Sequence, residues 1–198
     1  MTSPSGPRAT PGMKDIVIAL AVLVPIILLV AGLTRACSFS PTGPSVETDR
    51  LPTVDASAEL RSAAKRMPFE VRIPSVPAGW RANSASTQPV GGAAAVRVGW
   101  LTAQDRYLRL AQSAATESEL VIAEVGPTAV ASGPVEVAGQ RWIIYTGGGR
   151  NEPSWVTEFA PTVAGPPVAR VLITGSGTEE DIRVLAAAVS AGEVLAPG

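Results

Sequence analysis

The stretch AAVRVGWLTAQDRYLRLAQ, residues 94–112, reads as two strands joined by a turn. From Ala94 to Thr102 one phase carries Val96, Val98 and Trp100, and the other carries Arg97, Gly99 and Leu101. Successive side chains of a strand point to opposite faces, so this alternation predicts a half-buried strand. Ala103-Gln104-Asp105 is turn chemistry. Tyr107 to Gln112 then returns with Leu108 and Leu110 in opposite phase to Tyr107 and Arg109. The segment is predicted to be an antiparallel hairpin with one apolar face and one Arg/Tyr face.

The same reading extends in both directions. Toward the carboxyl end, Thr116-Glu117-Ser118-Glu119 fits a capping box and opens a helix that Gly126-Pro127 stops. Val135 to Val137 and Gln140 to Thr146 form a second hairpin, followed by a Gly147–Arg150 loop. Trp155 to Phe159 and Val168 to Thr174 are the last strands, and Thr178-Glu179-Glu180-Asp181 starts a helix to about Val189. The remaining Ala191 to Gly198 is expected to be loose. Toward the amino end, Ala56 to Met67 is helix-prone, with Leu60, Ala63, Ala64 and Met67 at helical spacing. Glu70 to Ile73 and Arg81 to Thr87 are short strands around the turn Val76-Pro77-Ala78-Gly79-Trp80. Runs of neighbouring strands between helices predict an α+β fold, an antiparallel sheet with helices packed against it. A spacing of sixty-two relates Thr116–Leu120 to Thr178–Ile182 and Trp80 to Trp142. It signals either two similar halves or merely two good helix starts.

Ahead of this domain lies IVIALAVLVPIILLVAGL, residues 16–33, without a charged or amide side chain. At ~1.5 Å per residue it extends about 27 Å, close to a bilayer core of ~30 Å. It is read as one transmembrane helix contacting the lipid bilayer through residues 16–33, with Pro25 near its middle. A cleaved signal peptide, and a lipoprotein acylated at Cys37, stand as rival readings; Thr34 and Arg35 fit the second poorly. Residues 1–15, rich in Ser, Pro and Gly, are expected to be a disordered cytoplasmic tail. Residues 34–53, with Pro41, Pro44 and Pro52, are expected to be a Pro-rich linker. Residues 54–196 then form an extracytoplasmic domain. Flanking basic residues, Arg8 and Lys14 against Arg35 and Arg50, leave orientation to the short amino-terminal tail.

The chain has 198 residues, 16 basic and 17 acidic, for a net charge of -1. That balance argues against a nucleic-acid partner. The absence of histidine removes His-based triads and the commonest metal ligand. The single cysteine, Cys37, removes disulfide frameworks and Cys-rich zinc sites. No catalytic residue, cofactor site or metal site is therefore assigned. Gly175-Ser176-Gly177-Thr178 lacks the third glycine of a dinucleotide loop, and its acids suit a helix start. The loop Gly147 to Arg150 is either a hairpin turn or an anion cradle. Glu117/Glu119 and Glu179–Asp181 lie in first turns, where acids are expected. Arg97, Tyr107, Arg109, Arg141 and Tyr145 fall mostly opposite the Trp/aliphatic phase. They form a candidate interaction surface if that face is open.

The apolar segment after a Ser/Pro tail, the Pro-rich spacer, Val76-Pro77-Ala78-Gly79-Trp80 near the domain start, and the closing strand with TGSGTEEDI (174–182) and its helix stand in a characteristic order. In that order they resemble the actinobacterial single-pass membrane family carrying domain of unknown function 4245. The likeness runs from about Lys14 to Val189, and two lysines against fourteen arginines suit a high-GC source. The turn before Trp80 is also distantly similar to photosystem PsbP-like sandwich domains. The family resemblance brings no activity or ligand with it, so the functional expectation rests on the apolar segment, the spacer and the absence of catalytic residues. The expected function is a non-catalytic, membrane-anchored interaction module with an envelope protein partner. A lipid or small-ligand carrier and an enzyme are the alternatives.

Overall fold

A computed structural model describes residues 12–34, 53–150 and 152–198. The chain divides into two compact units, Met1–Thr48 and Asp49–Gly198. The first contains helix α1 (Met13–Thr34), whose 22 residues run on through Pro25. Its described large apolar side chains between Ile16 and Ile27 are 45–63% exposed. Among the described residues, no helix is long and apolar enough to cross a membrane; the described side chains of α1 end at Ile27. Most of the expected tail and of the 34–53 linker, with Cys37, lie outside the described residues.

The second unit is α+β. Its elements are α2 (Ala56–Ala64), β1 (Val71–Ile73), β2 (Arg81–Ser86), β3 (Ala95–Leu101), β4 (Tyr107–Ser113), α3 (Glu117–Glu124), β5 (Val130–Val137), β6 (Gln140–Thr146), β7 (Ser154–Phe159), β8 (Ala169–Gly175), α4 (Glu179–Ser190) and β9 (Glu193–Leu195). Seven strands form one antiparallel sheet in the order β2-β3-β4-β8-β7-β6-β5. Two strand expectations change. The stretch after Ala191 is not loose, because Glu193–Leu195 pairs antiparallel with β1, and this two-stranded ribbon is separate from the main sheet. Strand β5 also begins earlier than Val135, at Val130, and the pairing with β6 skips a residue between Ala131 and Gly133. Pro134 lies on this outer strand, where a missing N–H is tolerated. At the other margin the Val54 N–H donates to the Ala82 carbonyl (3.0 Å), beside a second irregularity between Ala82 and Ser84.

The alternation read in residues 94–112 holds: Val98 pairs with Leu110 and Trp100 with Leu108 on one face. With Val171, Ile173, Trp142 and Trp155 they pack against Leu60 of α2 and Ile182, Leu185 and Val189 of α4. The second face is covered as well. Ala95, Ala111, Val156 and Leu172 pack against Leu120 and Val121 of α3. The helices therefore lie on both sides of the sheet. Central strands β4 and β8 are buried on both faces over much of their length, which is why their alternation fades after Leu110 and Val171.

The sixty-two-residue echo is real locally. Thr116 with Glu119, and Thr178 with Asp181, both form complete capping boxes, each three residues after its strand. Pairing of Leu110 with Ile173 and Ala111 with Leu172 puts equivalent residues on opposite faces, however. Leu110 packs in the core with α4 and its counterpart Leu172 with α3. A two-fold axis through the sheet would keep both helices on one face, so the echo is a repeated strand-cap-helix unit.

Asp181 links that cap to the β3–β4 turn. Arg106 donates to it through Nε (2.7 Å) and Nη2 (3.1 Å), while Thr178 donates through N and Oγ1. The arginine bonds foremost hold the carboxyl at about 2, below its usual 3.8. A depressed carboxyl contributes stability that is present above its unfolded pKa and lost as pH falls through the folded value. Urea unfolding between pH 5 and 2 should show a steep loss from about 4 downward, and Asp181→Asn should flatten it. An unchanged slope in the variant would assign the acid limb to other carboxylates.

Candidate functional site

Arg97, Tyr107, Arg109, Arg141 and Tyr145 all project from the second sheet face, where alternation placed most of them, but α3 lies across it. Arg97 Nε reaches Glu124 Oε1 at 2.6 Å, and Arg109 Nε lies 2.9 Å from Glu124 Oε2. The Glu124 side chain is 3% exposed. Arg97 also donates to the Gln88 carbonyl and Arg109 Nη2 to that of Glu124. The Tyr145 hydroxyl donates to Glu117 Oε1 at 2.6 Å. Burial first, then this bond, pushes the phenol up to about 12, so it remains a donor. Tyr107 lies over Gly99, in the space a side chain there would take. Arg141 is exposed on β6, opposite Glu136 of β5. Three of the five thus fasten α3, one covers a glycine, and Arg141 faces outward.

Two open clefts flank α3. One, of about 360 Å³, lies between the helix end and the Gly147–Arg150 loop, with Arg109 and Thr174 among its lining. The other, of about 390 Å³, is lined by Glu117, Val121, Pro127 and Tyr145. Ile122, 52% exposed, borders both. The glycine loop is pressed onto α3. The Gly149 N–H donates to the Val125 carbonyl at 3.2 Å, Thr128 Oγ1 donates to the Gly147 carbonyl, and a Cβ on Gly148 would collide with Val125. The Gly149 amide is therefore spent on the helix end, which removes one donor that a phosphate cradle would use.

The other motif behaves in the same way. Gly175 has φ +145°, and a side chain there would run into the Tyr107 carbonyl, while the Gly177 N–H donates to that carbonyl. These glycines let the turn approach β4. Glu119 closes its capping box and Glu179 bonds Arg183 at 3.0 Å. Among the described residues, no group of three or more His, Cys, Asp or Glu side chains could hold a metal ion.

Sequence reading passed over two buried carboxylates. Glu124 had a signal: an acid in the last turn of a helix opposes the helix dipole and calls for a cation. Glu70 reads as the first residue of a strand, yet it is 5% exposed. Its carboxylate accepts from Thr162 N and Oγ1, clamping the β7–β8 loop. Burial alone would raise its pKa; the Thr162 and Val163 donors, with Arg72, outweigh that and hold it below the usual carboxylate range.

No curated protein and no solved structure matches the chain. The model of one family, described as protein of unknown function DUF4245, matches residues 8–189, which takes in α1 and the domain through most of α4. The match spans the segments from the apolar run to the closing Thr178 cap, and the chain belongs to the DUF4245 family.

Proposed function

We propose that the chain is a membrane-tethered, non-catalytic interaction module of an actinobacterial cell envelope. Residues 16–33 anchor it once in the bilayer, the amino terminus is cytoplasmic, and the 34–53 linker holds the 54–196 domain outside. The observation that carries this reading is α1, a 22-residue helix exposing large apolar side chains around its circumference from Ile16 to Ile27. A helix apolar all round needs a core or a lipid phase. The domain supports a binding role over chemistry, because the carboxylates that could have served as acid and base are engaged in caps and ion pairs. It also supports binding over lipid carriage. The space between sheet and α4 is filled by Trp100, Trp142, Leu110, Ile173 and Leu185, each at most 2% exposed. The partner is an envelope protein contacting the α3 side, where Ile122 and Arg141 are exposed.

A carboxyl-terminal alkaline phosphatase fusion should be active in intact cells, whereas a cytoplasm-active fluorescent protein at the same place should stay dark. Photo-crosslinkers at Ile122 and Arg141 should yield an adduct of defined mass that one at Val163, on the β7–β8 loop, does not. A fluorescent fusion without phosphatase activity overturns the topology. Adducts indifferent to position overturn the proposed surface.

A further inference from the structure

We propose that the cleft between the end of α3 and the Gly147–Arg150 loop binds a small oxyanion, a carboxylate or phosphate group, between Arg109 and Arg150. Two arginines line the cleft. Glu124 is one carboxylate shared by Arg109, which lines the cleft, and Arg97, which lies outside it, so Arg109 is not fully neutralised by its partner. Arg150, on the facing wall, is exposed and has no hydrogen-bond or ion-pair partner among the described residues. Within the lining Arg109 and Arg150 balance Glu124 and Glu152, and the one further positive charge is that of Arg97, which pairs with Glu124 from outside the cleft.

The end of α3 opposes this less than a bare helix terminus would. A helix end normally presents bare carbonyls and repels anions. Here the Glu124 carbonyl takes Arg109 Nη2, the Val121 carbonyl takes the N–H groups of Val125 and Gly126, and the Val125 carbonyl takes the Gly149 N–H. Arg109 is also preorganised. Arg109 is held by Glu124, which Arg97 grips from its other oxygen, so binding would cost little side-chain entropy at this position. The volume, about 360 Å³, is near the lower end for ligand sites and limits the ligand to a few heavy atoms beyond the anion. Ile122 and Val125 give that remainder an apolar wall. This proposal is independent of topology and of any protein partner.

The test uses the full chain in neutral detergent micelles with ¹⁵N-glycine labelling, titrated with inorganic phosphate and separately with succinate at constant ionic strength. The Gly148 and Gly149 amides should shift and saturate. Arg150→Gln should weaken binding about tenfold or more, the loss expected for one charge-assisted hydrogen bond. Arg66→Gln, which removes an exposed arginine just after α2 and outside the cleft, should leave affinity unchanged. Micelles doped with phosphatidylglycerol identify the source: competition with phosphate assigns a lipid headgroup, and unchanged phosphate affinity assigns a free ligand. Non-saturating shifts, or equal weakening in both variants, would overturn the proposal. Thermal unfolding of Arg150→Gln should match wild type, which excludes loss of fold as the cause.

Discussion

Replacing Glu124 by alanine is expected to destabilise the domain by about 3–5 kcal/mol, the cost of breaking a buried ion pair from one side. The variant leaves Arg97 and Arg109 facing each other beneath α3, without the carboxylate whose side chain is 3% exposed. Repulsion and lost hydrogen bonds act together, and the apolar contacts of Leu120 and Val121, with the Tyr145–Glu117 bond, must then hold the helix. Urea unfolding reads the effect as a lowered midpoint. A second replacement, Arg97→Met in the Glu124→Ala background, should recover part of it by removing one stranded charge. A loss below about 1 kcal/mol in the single variant would place the pair in the weak, solvent-screened class and leave α3 held by packing.

Gln112→Leu is expected to cost about 3 kcal/mol and to act locally. Gln112 lies in the apolar phase of β4, opposite Val96 and Val171, and is fully buried. Its Oε1 accepts from Arg72 N at 2.8 Å and its Nε2 donates to Arg72 O at 2.7 Å. That one amide docks the β1–β9 ribbon onto the sheet. Leucine has similar bulk but strands a donor and an acceptor, at about 1–3 kcal/mol each. Hydrogen exchange should show the Arg72 amide, and its β9 neighbours, losing protection while β3 and β4 retain theirs. Unchanged protection in β1 would mean that pairing with β9 and contacts to α2 suffice.

These two residues mark where sequence reading stopped. Alternation in β3 and β4, the Thr116 and Thr178 caps and the stop at Gly126-Pro127 are local properties, and each appears where expected. Strand β9 is three residues long, and its partner lies over a hundred positions earlier, so no local pattern announces it. The face chosen by α3 depends on Ala111, Val156 and Leu172 coming together from three separate strands. For the candidate surface, alternation gave the correct face for most of Arg97, Tyr107, Arg109, Arg141 and Tyr145. It could not show that a helix covers them, because a strand pattern specifies which residues share a side and not what rests on it. Glu124 was the one clue available, an acid placed against its helix dipole.

The irregular margins of the sheet bear on crowding. Copies gathered at high local density are exposed to strand-by-strand polymerisation wherever a straight unpaired ladder is on offer. Here one margin is occupied at Ala82 by the Val54 amide and the other is broken by the skipped residue at Ala131/Gly133 and by Pro134. Neighbouring copies meet an interrupted row of donors and acceptors at both margins of the main sheet, which disfavours strand-by-strand growth from them.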